Sequence, residues 1–170
     1  SLGLGEKELM ILGSRIGADV PFCITGGTAL AEGIGEKITT IPPLPELGVL
    51  LVNPGIRVST EWVYRRLELE KAGQRPDISA VIRSIEEGSI ASMASGMGNV
   101  LESVTAKEYA VIEKIKQELV RAGAFASLMS GSGPTVFGLF EDAEKIESIA
   151  SALKRDGMNC IITKTYNGEC

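Results

Sequence analysis

The chain has 170 residues, 44% hydrophobic and 23% charged, the make-up of one folded domain or of one domain with part of another. Its net charge of −5 argues against a nucleic-acid groove or an anionic membrane surface as partner, and no apolar run reads as a membrane span or a signal peptide. Histidine is absent, which excludes imidazole bases, Ser-His-Asp triads and the commonest zinc sites, so any chemistry rests on carboxylates, hydroxyls, lysines and backbone groups.

Leu9, Ile11, Leu12 and Ile16 fall near helical spacing, which predicts a helix over 6–16 ended by a left-handed cap at Gly17. Val20, Phe22 and Ile24 alternate, which predicts a strand over 20–25, with Pro21 pushing Val20 into an extended conformation. Asp19 is thereby expected on a stiff helix-to-strand corner where a carboxylate can be aimed. Taken alone, it reads first as an Asp in a turn. A second strand is expected over 27–40. Ile41-Pro42-Pro43-Leu44-Pro45 reads as an extended linker. The elements before it are too few to close a core, so residues 1–45 are expected to be the tail end of a larger lobe and residues 46–170 a second lobe.

Beyond the prolines, Gly48 to Asn53 reads as a short buried strand ended by Pro54-Gly55. Ser59 can cap the helix that follows, with Glu61 in its first turn. Residues 77–87 and 107–122 read as amphipathic helices, 124–129 and 135–140 as strands, 141–155 as a helix and 160–165 as a last strand. The order β-α-α-α-β-β-α-β points to an α+β fold, with helices on one face of a four-stranded sheet.

Gly131-Ser132-Gly133 falls at the strand-to-strand turn. Two glycines there permit positive φ and an anion nest, although a hairpin turn needs no ligand. Thr60 and Tyr64, four apart, share a helix face. The tyrosine can equally pack in the core, and Trp62, elsewhere on that helix, is expected to do so. Asn99 reads as a helix start. Gly3-Leu4-Gly5 and Gly33-Ile34-Gly35 lack a third glycine and read as turns, and no Walker loop replaces them. Cys23, Cys160 and Cys170 lack metal-ligand spacing and read as reduced thiols of a cytoplasmic protein.

Gly17-Ala18-Asp19-Val20-Pro21-Phe22, followed by Ala31-Glu32-Gly33-Ile34-Gly35-Glu36, closely resembles the middle of the 4-diphosphocytidyl-2-C-methyl-D-erythritol kinase family. That family lies within the galactokinase, homoserine kinase, mevalonate kinase and phosphomevalonate kinase superfamily. Met129-Ser130-Gly131-Ser132-Gly133-Pro134-Thr135-Val136-Phe137 resembles the superfamily's C-terminal glycine motif, and Asn99 to Glu102 its Asn-x-Leu-Glu. The resemblance runs from near residue 3 to the C-terminus, and Ala-Asp-Val-Pro-Phe is its specific part.

The resemblance implies a ferredoxin-like second lobe, preceded by the end of an N-terminal kinase lobe of the ribosomal protein S5 domain 2 type. It implies that Asp19 is the catalytic carboxylate beside the substrate hydroxyl, that Thr60 lies near the methylerythritol end, and that Tyr64 stacks on the cytosine. Gly131, Ser132 and Gly133 are then a supporting loop. ATP with Mg²⁺ is the implied phosphate donor and the cytidine diphosphate methylerythritol the acceptor; the sequence itself assigns no metal ligands and no oligomeric state. The superfamily's nucleotide loop and catalytic lysine are expected upstream of Ser1, so these residues alone are expected to transfer no phosphate. The alternatives are a homoserine- or mevalonate-type kinase of the superfamily, or a non-catalytic ferredoxin-like binding module.

Overall fold

Residues 42–45, three of them proline, form neither helix nor strand in the computed structural model, which describes residues 3–73 and 75–166. They close the first of two units, which holds the described residues up to Glu46 together with Thr165 and Tyr166. The Thr165 hydroxyl donates to Pro45 O at 2.9 Å, which ties that late segment to the first unit. The second unit is Leu47–Lys164.

In the first unit, α1 (Glu6–Ser14) opens with the Glu8 carboxylate accepting the Gly5 N–H at 2.9 Å. The segment expected as a strand over 20–25 is instead a helix, α2 (Val20–Thr25). Val20 and Ile24 sit on alternate positions but are also four apart, so one face of a single helical turn satisfies the same pattern. That face packs on Gly13 of α1, where an added Cβ would come within 2.8 Å of Val20 Cγ1 and 3.1 Å of Ile24 Cδ1. Pro21 sits in the first turn of α2, where its missing N–H costs nothing. Gly17 is not in the left-handed region, and α1 ends two residues earlier than expected. The single strand expected over 27–40 is a hairpin, β1 (Ala29–Glu32) paired antiparallel with β2 (Lys37–Thr40). Glu36 closes its turn by accepting the Ile34 N–H at 2.7 Å. Hydrogen bonds from its own and the Ile34 backbone hold this carboxyl below the usual range.

The second unit runs β3 (Gly48–Asn53), α3 (Thr60–Arg66), α4 (Ile78–Glu86), α5 (Ile90–Gly96), α6 (Glu102–Glu108), α7 (Ala110–Arg121), β4 (Ala126–Met129), β5 (Val136–Phe140), α8 (Ala143–Arg155) and β6 (Asn159–Lys164). Its four strands lie in the order β4-β5-β3-β6, every pair antiparallel, which makes an α+β fold of the ferredoxin-like kind. Leu50 and Val52 of β3 face inward with Val136 and Phe140 of β5, against Ile112, Ile115 and Leu119 of α7 and Ile146 and Leu153 of α8. Val63 of α3, fully buried, joins the same core. Burial of this many aliphatic side chains, each contributing about 1.5–3 kcal/mol, is what orders the sheet.

Two elements differ from the expectation. The helix over 107–122 is two helices, broken at Tyr109 where φ is −118° and ψ 86°. Helix α5 was not expected, because its serine- and glycine-rich sequence shows little apolar period. Among the described residues no helix is long and apolar enough to cross a membrane. Cys23 is exposed and Cys160 half-buried, its thiol pushed up by burial; both are free, and Cys170 lies outside the described residues.

Candidate active site

Ser130 to Thr135 turn the chain from β4 into β5. Within the turn, Ser130 N–H donates to Thr135 O at 2.8 Å and Gly133 N–H to Ser130 O at 3.0 Å. Gly131 and Gly133 have φ of +55° and +82°, and the Gly133-Pro134 bond is cis. Gly133 is required twice over. Its backbone is left-handed, and a Cβ there would sit 2.5 Å from Sδ of Met129, a side chain only 2% exposed. Gly133→Ala is therefore expected to cost about 1–3 kcal/mol of stability, read as a lowered urea midpoint, whereas Gly131→Ala, with open space at its Cβ, should cost less. Equal midpoints for the two variants would contradict this packing.

Side chains from four other segments hold the turn. Thr105 of α6, fully buried, donates to Ser132 O at 3.1 Å. Thr60 Oγ1 of α3 and Ser132 Oγ are hydrogen-bonded at 2.8 Å. Asn99 donates from Nδ2 to Met129 O and to Gly131 O, both at 2.8 Å, while its Oδ1 accepts the Leu101 N–H at 3.0 Å. One oxygen of Glu102 accepts the Met129 N–H at 2.7 Å, and the other pairs with Lys116 Nζ at 2.5 Å. From β3, Asn53 donates to Thr135 Oγ1 at 2.9 Å and accepts the Gly55 N–H at 2.8 Å. Against this bracing, the N–H groups of Gly131 and Ser132 have no acceptor among the described residues. A turn held this way presents two donors without further rearrangement.

The sequence pointed to Thr60 and to the glycines, and the structure brings Thr60 and Ser132 together. It adds to the reading of Asn99: its Oδ1 caps the turn that leads into α6 by accepting the Leu101 N–H, as expected of a helix start, and its Nδ2 also staples the glycine turn. Asn99, Glu102 and Thr105 were missed as loop supports, although the Asn-x-Leu-Glu spacing was their signal. Asn99→Ala removes both carbonyl staples and is expected to lose about 1–3 kcal/mol, seen as faster amide exchange through 130–135. Unchanged exchange there would mean that the turn stands without Asn99.

Tyr64 lies one turn beyond Thr60 on α3 and is 60% exposed, so it is not part of the core. Trp62 packs partly against the core, as expected, with Arg66 over its ring. In the first unit, Asp19 is exposed at the N-cap position of α2, with φ −85° and ψ −11°. Its corner joins two helices, not a helix and a strand. The carboxylate makes no capping bond and has no hydrogen-bond or ion-pair partner among the described residues. It is free to act as an acceptor. No three His, Cys, Asp or Glu side chains gather to hold a metal ion among the described residues.

Comparison with known proteins follows the same lines. Residues 81–159 match the family described as GHMP kinases C terminal. A protein of Acetivibrio thermocellus named 4-diphosphocytidyl-2-C-methyl-D-erythritol kinase is 49% identical over 165 residues, which is 97% of this chain and 58% of that protein. The crystal structure of a 4-(cytidine 5'-diphospho)-2C-methyl-D-erythritol kinase superposes with a TM-score of 0.76 at 29% identity, over 92% of this chain and 56% of its own. A homoserine kinase from Cytophaga hutchinsonii superposes equally well, TM-score 0.77 over 97% of this chain and 59% of its own, but at 20% identity it shares the fold alone. The chain thus spans a little over half the length of the proteins it matches.

Proposed function

We propose that this chain, a homologue of the C-terminal portion of the 4-diphosphocytidyl-2-C-methyl-D-erythritol kinases in the GHMP kinase superfamily, serves a kinase of that substrate. The reaction is transfer of the ATP γ-phosphate to the substrate's 2-hydroxyl, in the non-mevalonate route to isoprenoid precursors. The observation that carries this reading is the 49% identity spread over nearly the whole chain, far above the 20% shared with a homoserine kinase of equal fold similarity.

Phosphoryl transfer asks a protein for positioning and electrostatics more than for covalent chemistry. In this reading Asp19, exposed and unpartnered, accepts the proton of the substrate hydroxyl or orients it. The free N–H groups of Gly131 and Ser132 meet anionic oxygen at the glycine turn. The Thr60 and Ser132 hydroxyls use one of their two protons on each other, leaving the second to donate to substrate. Tyr64 offers an exposed ring to the cytosine. Magnesium commonly binds through substrate phosphates and one or two carboxylates, and bound that way it would neutralise charge on the transferring phosphate.

The test is product analysis. A protein of the relatives' full length carrying these residues, incubated with ATP and the cytidine substrate, is expected to give a new phosphomonoester signal by phosphorus-31 NMR, with ADP in equal amount. ADP release without that signal would reject the acceptor.

A further inference from the structure

Between α3 and α6 lies a hollow of about 340 Å³ for which the proposed transfer has no use. Trp62 and Arg66 line it from α3, Glu68 and Lys71 from the segment just after that helix, and Lys107 and Glu108 from α6. The Arg66 guanidinium carbon lies 4.4 Å from the centroid of the Trp62 ring, which holds a flat cation against one wall. Lys71 takes Glu68 at 2.6 Å. Glu68 is held below the usual carboxylate range by that hydrogen bond first, with the charge of Lys107 adding to the effect. Arg66 and Lys107 have no carboxylate within ion-pair distance among the described residues, although Glu108 lines the same hollow. The Trp62 indole N–H likewise has no acceptor there.

In a chain of net charge −5, the hollow gathers Arg66, Lys71 and Lys107 against Glu68 and Glu108, and with Lys71 paired to Glu68 the charges of Arg66 and Lys107 are left without an ion-pair partner among the described residues. We propose that this hollow binds the phosphate group of a small metabolite. The cations come from α3, from the segment after it and from α6. A tetrahedral anion with several oxygens can engage the Arg66 fork and the Lys107 ammonium together, whereas a planar carboxylate satisfies the arginine fork and little else. The volume is within the range of small-molecule sites.

Trp62 is the only tryptophan in the sequence, so its fluorescence reports on this hollow alone. The 170-residue chain is titrated with inorganic pyrophosphate, inorganic phosphate and citrate at constant ionic strength, and calorimetry is run on the same titrants. Pyrophosphate is expected to saturate with a Kd at or below about 1 mM, more tightly than citrate. Lys107→Glu should weaken it by about tenfold or more, with an unchanged melting temperature because Lys107 is exposed. The site is overturned by the absence of saturable binding in both measurements up to about 10 mM, or by equal affinity in Lys107→Glu. Citrate binding as tightly as pyrophosphate would overturn the assignment to phosphate.

Discussion

Asp19→Asn, in a kinase of the relatives' full length carrying these residues, is expected to lower kcat by about 10²- to 10⁴-fold. ATP affinity and melting temperature should barely move. The asymmetry follows from what Asp19 does in the fold, which is little. Its side chain is exposed, caps no N–H of α2 and has no partner among the described residues, so asparagine of the same shape removes no structural contact. Asparagine is also as good a residue at a helix N-cap. What it lacks is the charge and basicity needed to take a proton from a hydroxyl. A loss of less than about threefold would leave Asp19 a turn residue with no part in the chemistry, since a general base contributes far more than that.

Tyr64→Ala should weaken the cytidine substrate by roughly 5- to 150-fold and leave ATP alone. The range follows from the roughly 1–3 kcal/mol that an aromatic ring contributes by stacking on one base, at about 1.4 kcal/mol per tenfold. With 60% of its surface exposed, Tyr64 has little to lose in the core, so the melting temperature should stay within about a degree or two. Tyr64→Phe keeps the ring face and should bind nearly as well as tyrosine. Steady-state kinetics and thermal unfolding on the same preparations separate the cases. Unchanged substrate affinity in the alanine variant would remove the ring from the site, and an equal loss in the phenylalanine variant would transfer the role to the hydroxyl.

Much of the second unit is legible from its residues because its signals are long and consistent. Gly48 to Asn53 is apolar with a Pro-Gly stop, and the amphipathic stripe of α8 runs for three turns before Gly157. Ser59 does cap α3, accepting the Trp62 N–H at 3.3 Å. Short elements fare worse. Six residues from Val20 to Thr25 satisfy strand alternation and helical spacing alike, and only packing on Gly13 decides between them. The break at Tyr109 has no glycine or proline to announce it.

The glycine turn was legible as a turn, but apart from Thr60 the residues that hold it were not. Asn99 looks like a helix cap because capping is local and visible in sequence. It does accept the Leu101 N–H, but its other partners, the carbonyls of Met129 and Gly131, lie 30 and 32 residues away. Glu102 and Thr105 reach across 27 residues in the same manner. Long-range hydrogen bonds of this kind leave no periodic trace in a single sequence. The roles given to Asp19, Thr60 and Tyr64 came from resemblance, not from spacing. What the structure adds is that Asp19 and Tyr64 are exposed and that Thr60 meets the glycine turn.

The most direct measurement is a comparison of kcat/KM for 4-diphosphocytidyl-2-C-methyl-D-erythritol, homoserine and mevalonate, made with a protein of the relatives' full length carrying these residues and with ATP saturating. The kinase assignment predicts that the cytidine substrate is preferred by at least about 10⁴-fold, because a site built around polar and stacking contacts rejects molecules that leave those contacts unmade. Comparable values for all three acceptors, or a preference for homoserine or mevalonate, would contradict it.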